Sequence, residues 1–254
     1  MMTGRAYGRA LMGAIGLIAI GCNADDAPPC LKAAGELETH HFTFQQPLGV
    51  LNTEGHMQVS YETWDSSAVA VSWEVHSNLL SDTRMEWDGA VLDLSFEEAC
   101  QWTRDLSNVV KVRIRSPFVP KFILRGQGEC DIQSNLEGAS VFIDAYAYAG
   151  ELKVACEADT LQVRLHDGVC LAELTGSASR LGCYSSGYCR VDASLVSADQ
   201  AYITQSGIQP LHFQAFEYAY VAIESAGDVY GGWIPPEAHT LDKTGSGELK
   251  WERQ

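Results

Sequence analysis

The fold of this chain is decided by the stretch from Asp167 to Phe213, which reads DGVCLAELTGSASRLGCYSSGYCRVDASLVSADQAYITQSGIQPLHF. Glycines recur in it about every twentieth residue, at Gly168, Gly187 and Gly207, each directly after Asp or Ser. Such dipeptides are typical of turns. The second and fourth residues after these glycines are mostly apolar, and a period of two indicates a strand with one buried face.

The same spacing continues on both sides of this stretch, between Phe122 and Trp251, at intervals of 18 to 22 residues. The glycines that mark it are Gly128, Gly150, Gly168, Gly187, Gly207, Gly227 and Gly247. A repeat of this length, with short apolar runs between turns, is typical of a solenoid whose repeats bury their apolar faces against one another. The sequence therefore predicts an all-β fold, a β-helix with coils of roughly 20 residues.

The chain before the repeat contains longer strands in which apolar residues alternate with polar ones. The clearest are residues 42–44, 57–61, 69–75, 84–87, 92–96 and 110–114. Asp88-Gly89 predicts a hairpin turn, while Glu97 to Leu106 fits a short helix or a loop equally well. We expect residues 39–116 and 117–254 to be two parts of one domain that share a core. The first part would cap the second, because exposed strand edges at a solenoid end invite aggregation.

The N-terminus has the features of an export signal. Two arginines precede a short apolar core, and the tetrapeptide AIGC at residues 19–22 resembles the lipobox of bacterial lipoproteins. We predict a signal peptide over residues 1–21, acylation of Cys22 and a tether over residues 22–38. An ordinary secretory signal is the alternative. In both cases the protein is exported, and the lipobox favours a lipoprotein held in the outer membrane, periplasmic or at the cell surface.

The composition limits the partners of this protein. Its net charge of −16, from 33 acidic and 17 basic residues, argues against nucleic acid or an anionic lipid surface. Cationic ligands are permitted but not required. A hydrophobic content of 46% is ordinary for a globular protein. After the signal, no apolar run is long enough to predict a membrane span.

Eight cysteines in an exported chain suggest disulfide bonds. Cys170 and Cys189 each follow a glycine by two residues, so they would lie in adjacent coils about 4.8 Å apart, within disulfide reach. Cys183 and Cys189 flank one turn, so Cys183 competes with Cys189 for the same partner. The alternative is that some cysteines are small buried core residues. If Cys22 is acylated, an odd number remains and at least one thiol is free or bonded to another chain.

The residues indicate no catalytic or metal site, and we expect no cofactor. His40 and His41 are adjacent in a strand and point to opposite faces, so one ion would not take both. Zinc is not expected, because no pair has C-x-x-C spacing. His166-Asp167 and Glu97-Glu98 are interpreted as solvated turn or surface groups. The acids Asp131, Asp144, Asp192 and Asp228 lie at different distances from the glycines of the repeat, so they would not line up in one site.

Tyrosines that recur near turns are the better functional indication. The candidate binding surface comprises Tyr146, Tyr148, Tyr184, Tyr188, Tyr218 and Tyr220. Aromatic rings exposed on a flat solenoid face could stack on sugars or anchor a protein partner. The alternative is that some of these rings pack inside the coils.

Several segments, taken in order, carry a family resemblance. They are FTF at 42–44, HSNLL at 76–80, WDGAVLDL at 87–94, VKVRI at 110–114, GDVYGG at 227–232 and TGSGEL at 244–249. Their order and spacing, from Thr39 to Trp251, resemble the putative auto-transporter adhesin head GIN domain family of exported bacterial proteins. The many cysteines are a departure from it. The resemblance implies a β-helical fold and a role in cell-surface adhesion, without established catalytic residues.

These observations together predict a non-catalytic envelope lipoprotein. It would be anchored to the membrane through Cys22 and would bind a glycan or an envelope or extracellular protein across a solenoid face. A β-helix carbohydrate-active enzyme, a lyase or hydrolase, is one alternative, and a purely structural envelope component is another. The sequence leaves the oligomeric state open.

Overall fold

The computed structural model describes residues 34–97 and 109–251. The predicted signal peptide, Cys22 and the possible helix after Glu97 lie outside these ranges. Strands make up 75% of the structure and helix 3%, which confirms the all-β prediction. No helix in the described part of the chain has the length and apolar character needed to cross a bilayer.

Within these described ranges, twelve strands and one 3-10 helix, Ser77–Asp82, follow one another. The strands are β1 (Leu37–Phe44), β2 (Val50–Thr63), β3 (Val69–His76), β4 (Thr83–Asp88), β5 (Val91–Phe96), β6 (Val110–Ser116), β7 (Lys121–Ser185), β8 (Arg190–Gln205), β9 (Leu211–Ile223), β10 (Val229–Gly231), β11 (Ala238–Lys243) and β12 (Leu249–Trp251). The alternating stretches of the first half all fall in strands. The Asp88-Gly89 turn joins β4 to β5, an antiparallel hairpin as predicted.

The strands form one open sheet in the order β1-β3-β6-β2-β7-β8-β9-β10-β12. Strand β11 pairs with β9, and β5 pairs with both β2 and β4. Pairing is antiparallel in β1–β3, β3–β6 and β4–β5. It is parallel between β2 and each of β5, β6 and β7, and in the pairs β7–β8, β8–β9, β9–β10, β9–β11 and β10–β12. The antiparallel strands therefore lie in the N-terminal half, and the repeat is parallel.

Parallel partners from β7 to β12 are 17 to 20 residues apart in the chain. Cys183 pairs with Ile203, and Ile203 pairs with Val221. All three side chains are buried, because the period of two in each strand sends these positions to the same face. The buried hydrophobic residues from Leu48 to Val229 form one continuous cluster.

Two glycines of the repeat lie directly over one another. Gly128 and Gly150 have φ angles of +129° and +149°, which side chains rarely adopt. A Cβ on Gly150 would overlap the carbonyl oxygen of Gly128, and one on Gly128 would overlap the carbonyl oxygen of Met57. Glycine is therefore required at these turns by backbone conformation and by close approach of the neighbouring strand.

Buried polar side chains hold the later turns. Ser185 donates a hydrogen bond to the carbonyl oxygen of Cys189 at 2.9 Å. One turn further, Gln205 bonds the amide of Gly207 at 3.0 Å and the carbonyl oxygen of Gln209. Ser185 and Gln205 pair with each other and are fully buried. They supply the partners that buried turn backbone requires.

Candidate functional site

Six aromatic rings lie on the outward side of consecutive strands, on a surface that we call the tyrosine face. Its members are Tyr146, His166, Tyr184, Tyr202, Tyr218 and Tyr220. Their neighbours in sequence, such as Leu165, Cys183 and Ile203, are buried, so alternation turns the rings outward. Tyr202 pairs with Tyr220 in the sheet register.

The rings of the tyrosine face contact one another across strands. Tyr146 stacks on His166, with ring centroids 4.7 Å apart and an interplanar angle of 7°. His166 also contacts Tyr184 at 5.2 Å, and Tyr202 contacts Tyr218 at 6.2 Å. The guanidinium group of Arg125 lies 5.2 Å from the centroid of Tyr146. The rings therefore form two contacting groups, Tyr146 with His166 and Tyr184, and Tyr202 with Tyr218, along one strip of the outward surface.

Hydrogen bonds at the ring edges orient three of the tyrosines. The Tyr218 hydroxyl donates to Thr240 Oγ1 at 3.1 Å, and the Tyr220 hydroxyl donates to Asp242 Oδ2 at 3.4 Å. The Tyr202 hydroxyl donates to Gln200 Oε1 at 3.3 Å. Desolvation and the Asp242 carboxylate raise the pKa of Tyr220. The Tyr220 hydroxyl therefore stays a protonated donor at neutral pH, which keeps its ring in place.

A buried carboxylate supports the other end of the strip. The Asp144 side chain is 1% exposed. It lies 2.8 Å from Lys121 Nζ and 2.6 Å from Arg164 Nε, and its Oδ1 is 3.5 Å from Nε2 of His166. Burial alone would raise the pKa of Asp144, but hydrogen bonds from Lys121 and Arg164 outweigh it and lower the pKa. Asp144 therefore stays ionised and holds Lys121 and Arg164 at the base of the face.

Replacing Asp144 with asparagine will destabilise the protein by about 1–3 kcal/mol at pH 7, because charge-assisted hydrogen bonds are lost from a buried site. The folded-state pKa of Asp144 is lowered, so its stabilisation is present above the unfolded pKa near 4 and is lost as the pH falls through the folded-state value. Denaturant unfolding of both proteins from pH 7 to pH 3 measures this difference.

The matched control for that experiment is Asp199→Asn, which changes an exposed acid of β8 and will leave stability within about 0.5 kcal/mol. A difference between Asp144→Asn and the unchanged protein that stays constant down to pH 3 would show that the carboxylate charge contributes nothing.

The structure separates the six tyrosines of the predicted binding surface. It brings Tyr146 and Tyr184 together through His166 and places Tyr218 and Tyr220 on the same outward side. Tyr148, by contrast, is buried with 3% exposure, and burial raises its pKa. The inclusion of Tyr148 in an exposed surface is corrected: it belongs to the core.

Tyr188 is 60% exposed but lies in the turn between β7 and β8, outside the tyrosine face. Two members of the face were missed by sequence reasoning, Tyr202 and His166. The signal for Tyr202 was present, because it is 18 residues from both Tyr184 and Tyr220 and alternates with buried Ala201 and Ile203.

The five cysteines in the described ranges are free and buried: Cys130, Cys156, Cys170, Cys183 and Cys189. Leu171 pairs with Arg190, which places Cys170 and Cys189 side by side in adjacent strands. Burial raises the pKa of Cys170 to about 12. Cys183 pairs with Ile203, so its place in the sheet register differs from that of Cys170 and Cys189. A disulfide between Cys170 and Cys189 stays a prediction.

The other polar candidates have structural roles. His40 Nε2 lies 3.4 Å from Glu38 Oε2, while His41 pairs with Ser72 on the opposite side of the strand. Asp167 has a positive φ of 62° and accepts a hydrogen bond from Ser186 at 3.3 Å. No group of three or more His, Cys, Asp or Glu side chains within residues 34–97 and 109–251 is arranged to hold a metal ion.

Solved structures of bacterial proteins share this fold. A putative adhesin from Bacteroides fragilis matches with a TM-score of 0.72 at 16% identity, covering 85% of this chain and 97% of its own. A putative adhesin from Parabacteroides distasonis matches with a TM-score of 0.56 at 15% identity, covering 86% and 98%. A putative lipid binding protein from the same species has a TM-score of 0.51 at 16% identity, covering 87% and 98%. At such identities the likeness shows the fold alone.

No curated protein is significantly similar to this chain. The family model described as putative auto-transporter adhesin, head GIN domain, matches residues 50–232. That range runs from the first residue of β2 to just past β10, and it includes the whole tyrosine face and most of the glycine-spaced repeat. The match confirms the resemblance found in the sequence, and this chain belongs to the family of putative auto-transporter adhesin head GIN domains.

Proposed function

We propose that the parallel strands from β7 to β12 are coils of a β-solenoid, each about 20 residues long. The support is the offset of 17 to 20 residues between paired strands and the stacking of Gly150 over Gly128. In this arrangement β1 to β6 cap one end of the stack and share its core. A stacked sheet of this kind presents flat, rigid outer faces.

We further propose that the protein is a non-catalytic envelope protein that binds a glycan across the tyrosine face. The observation that carries this proposal is the strip of rings that begins with Tyr146 on His166 and ends at Tyr218 and Tyr220. Tyrosine combines a flat apolar ring with a polar edge. Flat rings stack on the apolar faces of sugars, while the fixed hydroxyls and nearby Gln200 and Asp242 can bond sugar hydroxyls.

Attachment to the outer membrane through Cys22 completes the proposal. A lipidated N-terminus and a short tether would hold the domain at the envelope while its faces remain available. Membership of a family described as putative adhesins supports an exported location. Labelling with a radioactive fatty acid tests the anchor, since a Cys22→Ser variant should lose both the label and the membrane association.

Replacing Tyr202 and Tyr218 together with alanine will weaken glycan binding by about 5- to 150-fold. Each aromatic stacking contact contributes about 0.5–1.5 kcal/mol, and 1.4 kcal/mol is tenfold in affinity. The measurement is a glycan array screened with the exported domain, followed by titration calorimetry with the strongest ligand. Both positions are on the surface, so the thermal midpoint should change little.

Tyr188→Ala is the matched control, because Tyr188 is 60% exposed but belongs to a turn outside the face. Its affinity should equal that of the unchanged protein. Equal losses in Tyr188→Ala and in the double variant would overturn the assignment of binding to the tyrosine face. If no glycan on the array binds and one envelope protein is captured, the glycan proposal is wrong and the partner is a protein.

A further inference from the structure

A second outward surface lies on the five strands β1, β3, β6, β2 and β7, and we call it the β6 face. Its middle row, read across the paired strands, is His41, Ser72, Arg113, Ser60 and Asp131. Strand β6 lies in the centre and turns three cations outward, Lys111, Arg113 and Arg115. Such a column of positive side chains is unusual in a chain with a net charge of −16.

Two of the three cations have compensating neighbours. Arg115 Nε lies 3.7 Å from Glu62 Oε1, and its guanidinium group lies 4.4 Å from the centroid of Trp64. Lys111 pairs in register with Glu74, so a carboxylate stands beside it on the same face.

Arg113 differs from both. It is exposed, and its direct neighbours in the row are serines, Ser72 on β3 and Ser60 on β2. Within residues 34–97 and 109–251 it makes no hydrogen bond, ion pair or ring contact. A guanidinium group with five donors and no acceptor, flanked by two hydroxyls, is therefore available to bind an anion.

The short serines leave a groove around Arg113. Two adjoining concavities of about 320 Å³ and 270 Å³ share Ser72 and Arg113 in their walls, and sites for small ligands are of this size. The larger concavity is walled by polar groups that include Gln58, Glu129 and Asp131. The smaller one is walled in part by Trp64. Arg113 lies at the junction, with polar groups on one side and an aromatic ring on the other.

We propose that this groove binds an acidic saccharide through a sugar carboxylate. The guanidinium group of Arg113 donates two parallel hydrogen bonds to the carboxylate, the geometry that favours arginine for such ions, and the hydroxyls of Ser60 and Ser72 can add to them. Sugar hydroxyls bond Gln58 and the acids of the larger concavity.

The charges of the rim favour a saccharide over an acidic peptide. Glu74, Glu129 and Asp131 repel a ligand with several adjacent carboxylates, but they accept hydrogen bonds from hydroxyl groups. A single carboxylate among hydroxyls matches the Arg113 guanidinium group among acceptors. The site is independent of the tyrosine face, because the turns at Gly55 and at Gly126 and Gly128 separate the two surfaces along the chain.

Titration calorimetry of the exported domain with a trimer of two neutral sugars and one galacturonate tests the proposal, using its methyl ester and an oligoglutamate as comparison ligands. We expect the trimer to bind, the ester to bind at least tenfold more weakly, and the oligoglutamate not to compete. Arg113→Ala should weaken binding of the trimer at least tenfold. Arg113→Lys keeps the charge but loses the two parallel donors of the guanidinium group, so its affinity should fall between those of Arg113→Ala and the unchanged protein. Binding should weaken as salt is raised, because ion pairs are screened.

Arg190→Ala is the matched control, since it removes one exposed cation from β8, away from the groove. It should bind the trimer as the unchanged protein does, and both alanine variants should keep the native thermal midpoint. The proposal would be overturned by any one of four results: no binding of the trimer, equal binding of its ester, equal losses in Arg113→Ala and Arg190→Ala, or tighter binding of the oligoglutamate. Loss of binding in Tyr202→Ala/Tyr218→Ala but not in Arg113→Ala would place the saccharide on the tyrosine face instead.

Discussion

Replacing Gly150 with alanine will lower the free energy of unfolding by about 2–6 kcal/mol. Gly150 has a φ of +149°, and a side chain in such a sparsely populated region costs about 1–3 kcal/mol. The new Cβ would also overlap the carbonyl oxygen of Gly128. Forced overlap in a close-packed region costs about 1–3 kcal/mol more, because the neighbouring strand must move. Denaturant unfolding followed by circular dichroism measures the loss.

Gly138→Ala separates the two causes. Gly138 has a φ of +71°, but a Cβ there would meet nothing within 4 Å, so only the conformational cost of about 1–2 kcal/mol applies. The account requires Gly150→Ala to be the more damaging by about 1 kcal/mol or more. Equal effects of the two substitutions would mean that the glycine turns are not packed against each other.

Replacing Phe122 with alanine will destabilise the protein by about 3–5 kcal/mol, the usual cost of removing a large ring from a core. Phe122 is fully buried, pairs with Leu51 of β2 and contacts Tyr61 edge-on at a centroid distance of 5.0 Å. It therefore joins the strands before the repeat to the first strand of the repeat. If the two parts share a core, the variant unfolds in one transition at a lower denaturant concentration.

The control is Phe142→Ala, which removes a ring that is 36% exposed on the outward side of β7 and should cost less than about 1 kcal/mol. Two separate transitions in Phe122→Ala, with only one of them shifted, would contradict the shared core and would divide the chain into two folding units near Pro120.

Much of the fold could be predicted because its signals are local. Alternation of apolar and polar residues is a property of each strand, and Asp88-Gly89 is sufficient to define a hairpin. The glycine spacing anticipated the pairing of strands about 20 residues apart. At Gly128 and Gly150 the neighbouring backbone lies so close that any other residue would overlap it. The pairing order β1-β3-β6-β2 was not predictable, because it depends on contacts between residues distant in sequence.

The error at Tyr148 has a local physical cause. Tyr146 and Tyr148 are two residues apart, so strict alternation places both rings on one side. Ala147 between them has a φ of +49°, which breaks the alternation and turns Tyr148 inward. Twenty residues later the chain carries Asp167-Gly168 at the same level, and Gly168 lies against the backbone of Tyr148. The sequence signals the turn at Asp167-Gly168, but it gives no such signal at Ala147-Tyr148.

The candidate sites depend on contacts that no spacing rule supplies. Asp144 acts through Lys121 and Arg164, which lie 23 and 20 residues away from it in the chain. Arg113 becomes a candidate only when its row neighbours are known to be Ser60 and Ser72. Alternation in β6 predicts that Arg113 points outward, but it does not tell which side chains of β2 and β3 lie beside it.

The stacking of successive coils is tested most directly by a distance between two labels. Nitroxides on Gln162→Cys and Thr240→Cys would lie four strands apart, because Gly182 packs against Gln162, Tyr202 pairs with Gly182, Tyr220 with Tyr202, and Thr240 with Tyr220. Strand spacing of 4.7–4.9 Å predicts a separation of about 19 Å by pulsed electron resonance. A separation beyond about 30 Å would contradict the stacking and, with it, the flat outward faces on which both proposed binding sites depend.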